Sequence, residues 1–167
     1  HALLADDVVS IDTDDNFMIY PGLPESRQTL ETLQAFGLNL DDYPPLFQDV
    51  PVDEQRKRVI PLLHDEQFPR YQSHPMPLSA IYILDRGGVT QPQITSFNLI
   101  IALQKLIQHI SFTPYAIMPT EFKMLSKLVN TIPVRQVQFP SDLKQLGVLC
   151  EALEVDVKTL VQRDQVL

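Results

Sequence analysis

His1-Ala-Leu-Leu-Ala-Asp-Asp-Val-Val-Ser-Ile11 sets two carboxylates, Asp6 and Asp7, inside an otherwise apolar and β-branched run. The run reads as a strand. Neighbouring residues of a strand point to opposite faces, so at least one of the two carboxylates is expected against packed protein. A carboxylate in that position is costly unless it meets a cation, a metal or a hydrogen-bond donor. Two readings stand side by side. The pair can hold a metal with one carboxylate and orient or deprotonate a hydroxyl with the other, the layout of a phosphoryl-transfer site. It can equally be a pair at a strand edge or bulge, solvated on one side.

Downstream, Thr13-Asp14-Asp15-Asn16 is a turn cluster and Phe17-Met-Ile-Tyr20 a returning strand, so residues 2–20 read as a hairpin ended by Pro21-Gly22-Leu23-Pro24. Ser26 is placed to cap a helix over 27–36, with Leu30, Leu33 and Phe36 about a turn apart and Gly37 as its stop. A loop over 41–51 carries Pro44-Pro45. A strand over 56–63 is weakened by Pro61. Residues 64–77 read as irregular, and Leu78-Ser-Ala-Ile-Tyr-Ile-Leu84 as a strand closed by Asp85-Arg86-Gly87-Gly88.

The second half reads as mostly helical. Ser96 precedes the stripe Leu99, Ile100, Leu103, Leu106, Ile107 and Ile110, which has helical period and is expected to face the core. Thr120 is placed to cap a helix through Asn130, and Val134–Phe139 alternates as a strand. Ser141 is placed to cap a helix through Leu153, with a last helix over 156–164. Taken as a whole domain, strands first and helices later would be α+β. The chain nevertheless opens already inside a strand, which places the expected start of the domain upstream of His1. The expectation is a single domain over 1–167, incomplete at its N-terminus, with strands and loops over 1–92 and helices dominating 93–167.

Composition narrows the function classes. The 167 residues are 44% apolar and 20% charged, enough for one domain with a core and too apolar for a disordered chain. Apolar runs such as Leu99–Leu103 are too short to cross a bilayer, and the first ten residues carry no basic segment of the signal-peptide kind. No membrane partner is therefore expected. One cysteine, Cys150, fits a reducing compartment, and a cytoplasmic protein is expected. Its place beside Leu146 and Leu153 reads as core. The formal charge of −8 argues against nucleic acid as a partner. Residues 1–54 hold twelve acids and one base, Arg27, whereas 55–167 hold nine acids and twelve bases. Such asymmetry marks either a cation site or a solvated acidic surface.

Other motifs fall away. Asp12–Asn16 lacks the glycine and the closing glutamate of a calcium loop. His64, His74 and His109 have no metal-ligand spacing, and no nucleophile elbow occurs.

His1–Ile11 resembles the segment that follows the P-loop helix in HPr serine kinases: a histidine, apolar residues, Ala-Asp-Asp, then an apolar strand. Tyr20-Pro21-Gly22-Leu23-Pro24 is similar to the Pro-Gly-x-Pro stretch of HPr-kinase-like proteins. Arg27 and the pattern after it match the next segment in part, and Gln55-Arg56-Lys57-Arg58-Val59 is similar to the family's Glu-Lys-Arg stretch. Leu78–Leu84 looks like its next core strand, and Ile132-Pro-Val-Arg135 with Pro140 recurs near its end.

The resemblance implies an α/β fold, the C-terminal part of a phosphoenolpyruvate-carboxykinase-like P-loop core with a mixed sheet and a helical C-terminal half. It implies ATP- and Mg2+-dependent phosphorylation of a serine hydroxyl on a protein or peptide, with oligomerisation possible. By the same resemblance Asp6 lies near the acceptor hydroxyl as catalytic base and Asp7 serves catalysis on the magnesium side. Arg27, Lys57 and Arg58 are the phosphate-binding candidates. For Arg27 the alternative is a surface helix residue, and for Arg56-Lys57-Arg58 a solvated strand end. Besides the partial match over Glu25–Leu30, the chain departs from the family in one serious respect: no Gly-x-x-x-x-Gly-Lys-Ser/Thr occurs in it. A P-loop supplies the amides, lysine and hydroxyl that hold phosphates and magnesium. These residues alone are therefore not expected to hold ATP. Either the loop belongs to a longer protein or the chain is a non-catalytic binding module of the same fold.

Overall fold

A computed structural model describes residues 1–12, 16–51, 56–62, 70–109 and 119–164. Residues 13–15 of the expected turn, the His64-Asp65-Glu66 segment and Ile110 lie outside the described residues. The chain is mixed α/β, with several small sheets and four α-helices among the described residues. It divides into two compact units, His1–Pro77 and Leu78–Leu167.

In the first unit, β1 (Ser10–Ile11) pairs antiparallel with β2 (Met18–Tyr20), in the register Ser10↔Tyr20 and Ile11↔Ile19. The other edge of β2 pairs with β5 (Met76–Pro77). Just before β2, Phe17 is 1% exposed and holds a left-handed φ of 43°. That conformation is uncommon for a residue with a side chain, and here burial of a whole aromatic ring stabilises it.

The hairpin is much shorter than the expected 2–20. Among residues 1–9, Leu3 alone makes a bridge, parallel to Tyr71, with its N–H donating to Arg70 O and its carbonyl accepting from Gln72 N. Asp6 and Asp7 therefore do not lie on a strand but in a bend.

β3 (Glu25–Thr29) and β4 (Lys57–Pro61) form a separate antiparallel ladder, pairing Glu25↔Pro61, Arg27↔Val59, Gln28↔Arg58 and Thr29↔Lys57. The local pattern puts a helix start at Ser26. Instead Ser26 is buried in the ladder, and its hydroxyl accepts from Gln28 Nε2 at 2.6 Å. Non-local pairing with β4 overrides the local helix signal. The helix, α1 (Leu30–Ala35), starts one turn later. Thr29 caps it through Oγ1, which accepts from Thr32 N, and Gly37 (φ 68°) ends it. Leu33 is its fully buried residue.

In the second unit, β6 (Ile81–Arg86), β7 (Gln93–Ser96) and β8 (Val134–Phe139) make a mixed sheet in the order β6-β8-β7. β6 runs parallel to β8 and β7 antiparallel to it. The sequence pattern does not announce β7. α2 (Leu99–Ile107), capped by Asn98 Oδ1, packs on α3 (Pro119–Thr131). α4 (Leu146–Asp164) is one helix where the sequence suggests two. Its Leu149 packs with Val137 and Phe139, joined by Tyr82, Ile94, Leu146 and Leu153. Cys150 is exposed rather than in the core, because the inward stripe of α4 is centred on Leu149 and Leu153 and leaves position 150 at its margin. No helix among the described residues is long and apolar enough to cross a membrane.

Candidate functional site

Residues about twenty positions apart in sequence meet in one cleft of the first unit. Its volume is about 250 Å³, and it is lined by Asp6, Asp7, Val8, Gly22, Leu23, Glu25 and Arg27. Three local devices build it. The bend at Asp6–Asp7 is tied to the Pro21–Pro24 segment by Gly22 N, which donates to Leu4 O at 2.9 Å. Tyr71 Oη donates to Gly22 O at 2.7 Å and fixes the other side of the same residue. A side chain at position 22 would crowd the neighbouring segment: a Cβ there would sit 3.0 Å from Ala5 Cβ and 3.4 Å from Ala5 Cα. The glycine thus lets the two segments touch, and Asp6 follows Ala5 directly.

The third device joins the bend to β3. Asp6 Oδ2 accepts the backbone N–H of Arg27 at 2.6 Å, a short charge-assisted bond. It holds the Asp6 carboxylate against the strand. Asp6 is half-buried and Asp7 exposed, so one carboxylate is braced and the other is open to water.

Glu25 and Arg27 lie two apart on β3 and so share one face of it. Arg27 Nε and Nη2 both donate to Glu25 Oε1, at 3.2 and 3.0 Å, in an ion pair in which the arginine side chain is 35% and the glutamate 28% exposed. The cleft therefore carries three carboxylates against one guanidinium. Val8 and Leu23 give it an apolar, solvent-facing border.

Of the residues singled out from the sequence, Asp6, Asp7 and Arg27 are brought together, and Lys57 and Arg58 are not among the cleft's lining. The ladder gives the reason. Arg58 opposes Gln28, so it belongs to the face of the β3–β4 pair opposite to Arg27. Lys57 shares the Arg27 face but pairs with Thr29 at the far end from Glu25, and it is exposed. Sequence reasoning misses Glu25. Its signal is the Glu-x-Arg spacing, which puts both side chains on one face in a strand but not in the helix that the local pattern suggests. Gly22 is legible only as a breaker, not as a contact.

Magnesium takes oxygen ligands and keeps several waters, so one or two carboxylates with substrate phosphates suffice to hold it. Among the described residues no group of three or more His, Cys, Asp or Glu side chains is placed to hold a metal by itself. The exposed Asp7 fits an ion that arrives already bound to phosphate, and does not fit a resident metal site.

A second polar cluster lies in the other unit. Tyr82 Oη donates to Asp156 Oδ2 at 2.8 Å, and Arg135 Nε lies 2.9 Å from the same oxygen. Arg135 Nη1 also donates to Ser96 Oγ at 3.1 Å. Burial first, then the Asp156 carboxylate, pushes the Tyr82 phenol well above the usual tyrosine range. The cluster ties α4 to β6, β7 and β8, which is a structural role.

No family model, no curated protein and no solved structure matches this chain.

Proposed function

We propose that the cleft is the acceptor side of a phosphoryl-transfer site, in a protein that phosphorylates a serine hydroxyl of a protein or peptide using ATP and Mg2+. The observation that carries this reading is the convergence of Asp6, Asp7 and Arg27, distant in sequence, on one cleft. The resemblance to HPr-kinase-like proteins singles out these three residues together with Lys57 and Arg58, and the latter two do not line the cleft. In this reading the chain is the C-terminal part of a P-loop core, and the phosphate cradle is supplied by polypeptide outside these residues, since no Walker-type sequence occurs within them.

The two carboxylates divide the work according to their surroundings. Asp6 is braced by the Arg27 amide and suits the positioning role. It would hold the serine hydroxyl and take its proton as the serine oxygen bonds to the γ-phosphorus and the bond from that phosphorus to the bridging oxygen breaks, with ADP leaving. Asp7, open to water, suits the hydrated ion. Magnesium supplies neutralisation of the phosphate charge when it is bound with the nucleotide. Arg27 offers fixed positive charge to the transferring group. The reaction asks mostly for positioning and charge stabilisation, and a small open cleft can provide both. Val8 and Leu23 beside the carboxylates give an apolar ledge for the side chains that flank an acceptor serine, which favours a peptide or protein over a small polar acceptor. Lys57 and Arg58 have no part in this cleft.

The test is transfer of labelled γ-phosphate by the protein together with its phosphate cradle. Asp7→Asn is expected to remove Mg2+-dependent transfer, and Asp6→Asn to lower it at least a hundredfold, the range of a positioned acid–base group. Full transfer by both variants would refute the assignment. The rival reading is a binding module without catalysis. It is favoured by the same absence of a Walker sequence, and predicts ligand binding with no transfer at all.

A further inference from the structure

We propose that Glu25 is a latch on Arg27: it occupies the guanidinium in the free protein and is displaced when a phosphorylated ligand enters the cleft. The proposal rests on the phosphoryl-transfer reading of this cleft and adds to it how the site is held closed to bare anions. Three observations carry it.

The first is the mode of contact. Arg27 has five N–H donors, and two of them, on Nε and Nη2, converge on the single oxygen Glu25 Oε1. This is the side-on edge of the guanidinium, one of the two with which it can grip a phosphate in two-point fashion. A phosphate can take that grip only if Glu25 yields it.

The second is exposure. The pair is about one-third exposed. Pairs of that kind contribute little to stability, about fivefold in an equilibrium at most. A dianionic phosphate making a two-point contact outcompetes it, so the latch opens without cost to the fold. The strand beneath does not depend on it, since β3 is fixed by its ladder with β4 and by the Arg27 amide bond to Asp6.

The third is charge balance. With Glu25 in place, three carboxylates face one guanidinium, and an isolated anion meets net repulsion. Removing the Glu25 charge reduces that repulsion and frees Arg27 together. Glu25 is thus a positioning residue, which acts on the ligand through Arg27.

The experiment titrates the full 167-residue chain with O-phospho-L-serine in the presence of Mg2+ by calorimetry, in a cycle of wild type, Glu25→Gln, Arg27→Gln and the double variant. Glu25→Gln keeps the length and the acceptor oxygen but loses the charge. It is expected to bind about three- to tenfold more tightly than wild type. The gain should shrink in the Arg27→Gln background to the small part that comes from lower repulsion alone, because the latch itself works through that side chain. Glu25→Asp, which keeps the charge, should return affinity to near the wild-type value. A structural role alone would move melting temperature and leave this coupling at zero.

If Glu25→Gln binds no more tightly than wild type while Arg27→Gln still abolishes binding, the latch is wrong and the phosphate reading of the cleft survives. If no variant binds, or binding ignores Arg27→Gln, the cleft reading fails and the latch falls with it. Glu25→Ala serves as a second variant should Glu25→Gln fold poorly.

Discussion

Replacing Gly22 by alanine tests the construction of the cleft at its tightest point. The added Cβ would meet Ala5 Cβ at 3.0 Å and Ala5 Cα at 3.4 Å. Ordinary carbon contacts lie at about 3.5–4.0 Å, so one of the two segments must give by a few tenths of an ångström. Neither can yield freely: Gly22 N is bonded to Leu4 O, and Gly22 O is held by Tyr71. Overpacking of this kind costs about 1–3 kcal/mol. The strain falls on the residue before Asp6, and the Asp6 bond to the Arg27 amide is the next link.

The assay is hydrogen exchange of the Arg27 amide, read by NMR on labelled protein. If the strain loosens that bond fully, exchange should accelerate about 5- to 150-fold, while the amide of Val137 in the second unit should not change. The partner substitution Ala5→Gly removes the clashing methyl. In the double variant the Arg27 amide should recover most of its protection, less a backbone-entropy cost of about 0.5–1 kcal/mol. Unchanged exchange in Gly22→Ala, or no recovery with Ala5→Gly, would refute the packing argument and the claim that Gly22 sets the place of the carboxylates.

Further outcomes follow from single contacts. Asp6→Ala should destabilise the first unit by about 1.5–3 kcal/mol, the usual loss for a hydrogen bond to a charged group, whereas Asp7→Ala should change stability by less than about 0.5 kcal/mol because Asp7 is exposed. Urea titration of the two variants checks the contrast. Phe17→Ala should cost about 3–5 kcal/mol, since an aromatic ring 1% exposed is lost from the core, and the same titration reads it. Tyr82→Phe should cost about 1–2 kcal/mol through the lost bond to Asp156. The folded state raises the Tyr82 phenol, so it holds its proton where the unfolded chain releases it. The stabilisation from Tyr82 is therefore full below pH about 10 and declines as pH rises above it. Melting temperatures of wild type between about pH 9 and 11 should fall more steeply than those of Tyr82→Phe.

The legible parts of the fold are those where local pattern and tertiary pairing agree. β8 has the bounds that its alternation indicates, and β6 begins three residues later than expected and extends to Arg86. Its expected closing residues Asp85-Arg86 still pair with β8, and the turn comes only at Gly87-Gly88, both with positive φ. Gly37 ends α1 as expected. The parts that mislead are those where a distant segment decides. Ser26-Arg27-Gln28 has the composition of a helix start and becomes strand because β4 offers a five-residue ladder. β7 carries one apolar residue, Ile94, and its strand state depends on β8. The expected break between helices near residue 155 has no glycine or proline behind it, and α4 runs through. For the site, residue type is legible and geometry is not. Asp6, Asp7 and Arg27 can be singled out, but the expected strand-borne pair is a bend, and the acidic partner Glu25 emerges only once residues 25–29 are seen to be extended.

The most direct test of the central claim is a chemical-shift map of the labelled 167-residue chain titrated with O-phospho-L-serine in the presence of Mg2+. The account predicts that the largest shifts cluster on the amides of Asp6, Asp7, Gly22, Glu25 and Arg27, with the Arg27 Nε–H signal moving as its partner changes. Saturating shifts confined to other residues, or no shifts at all at millimolar ligand, would contradict it.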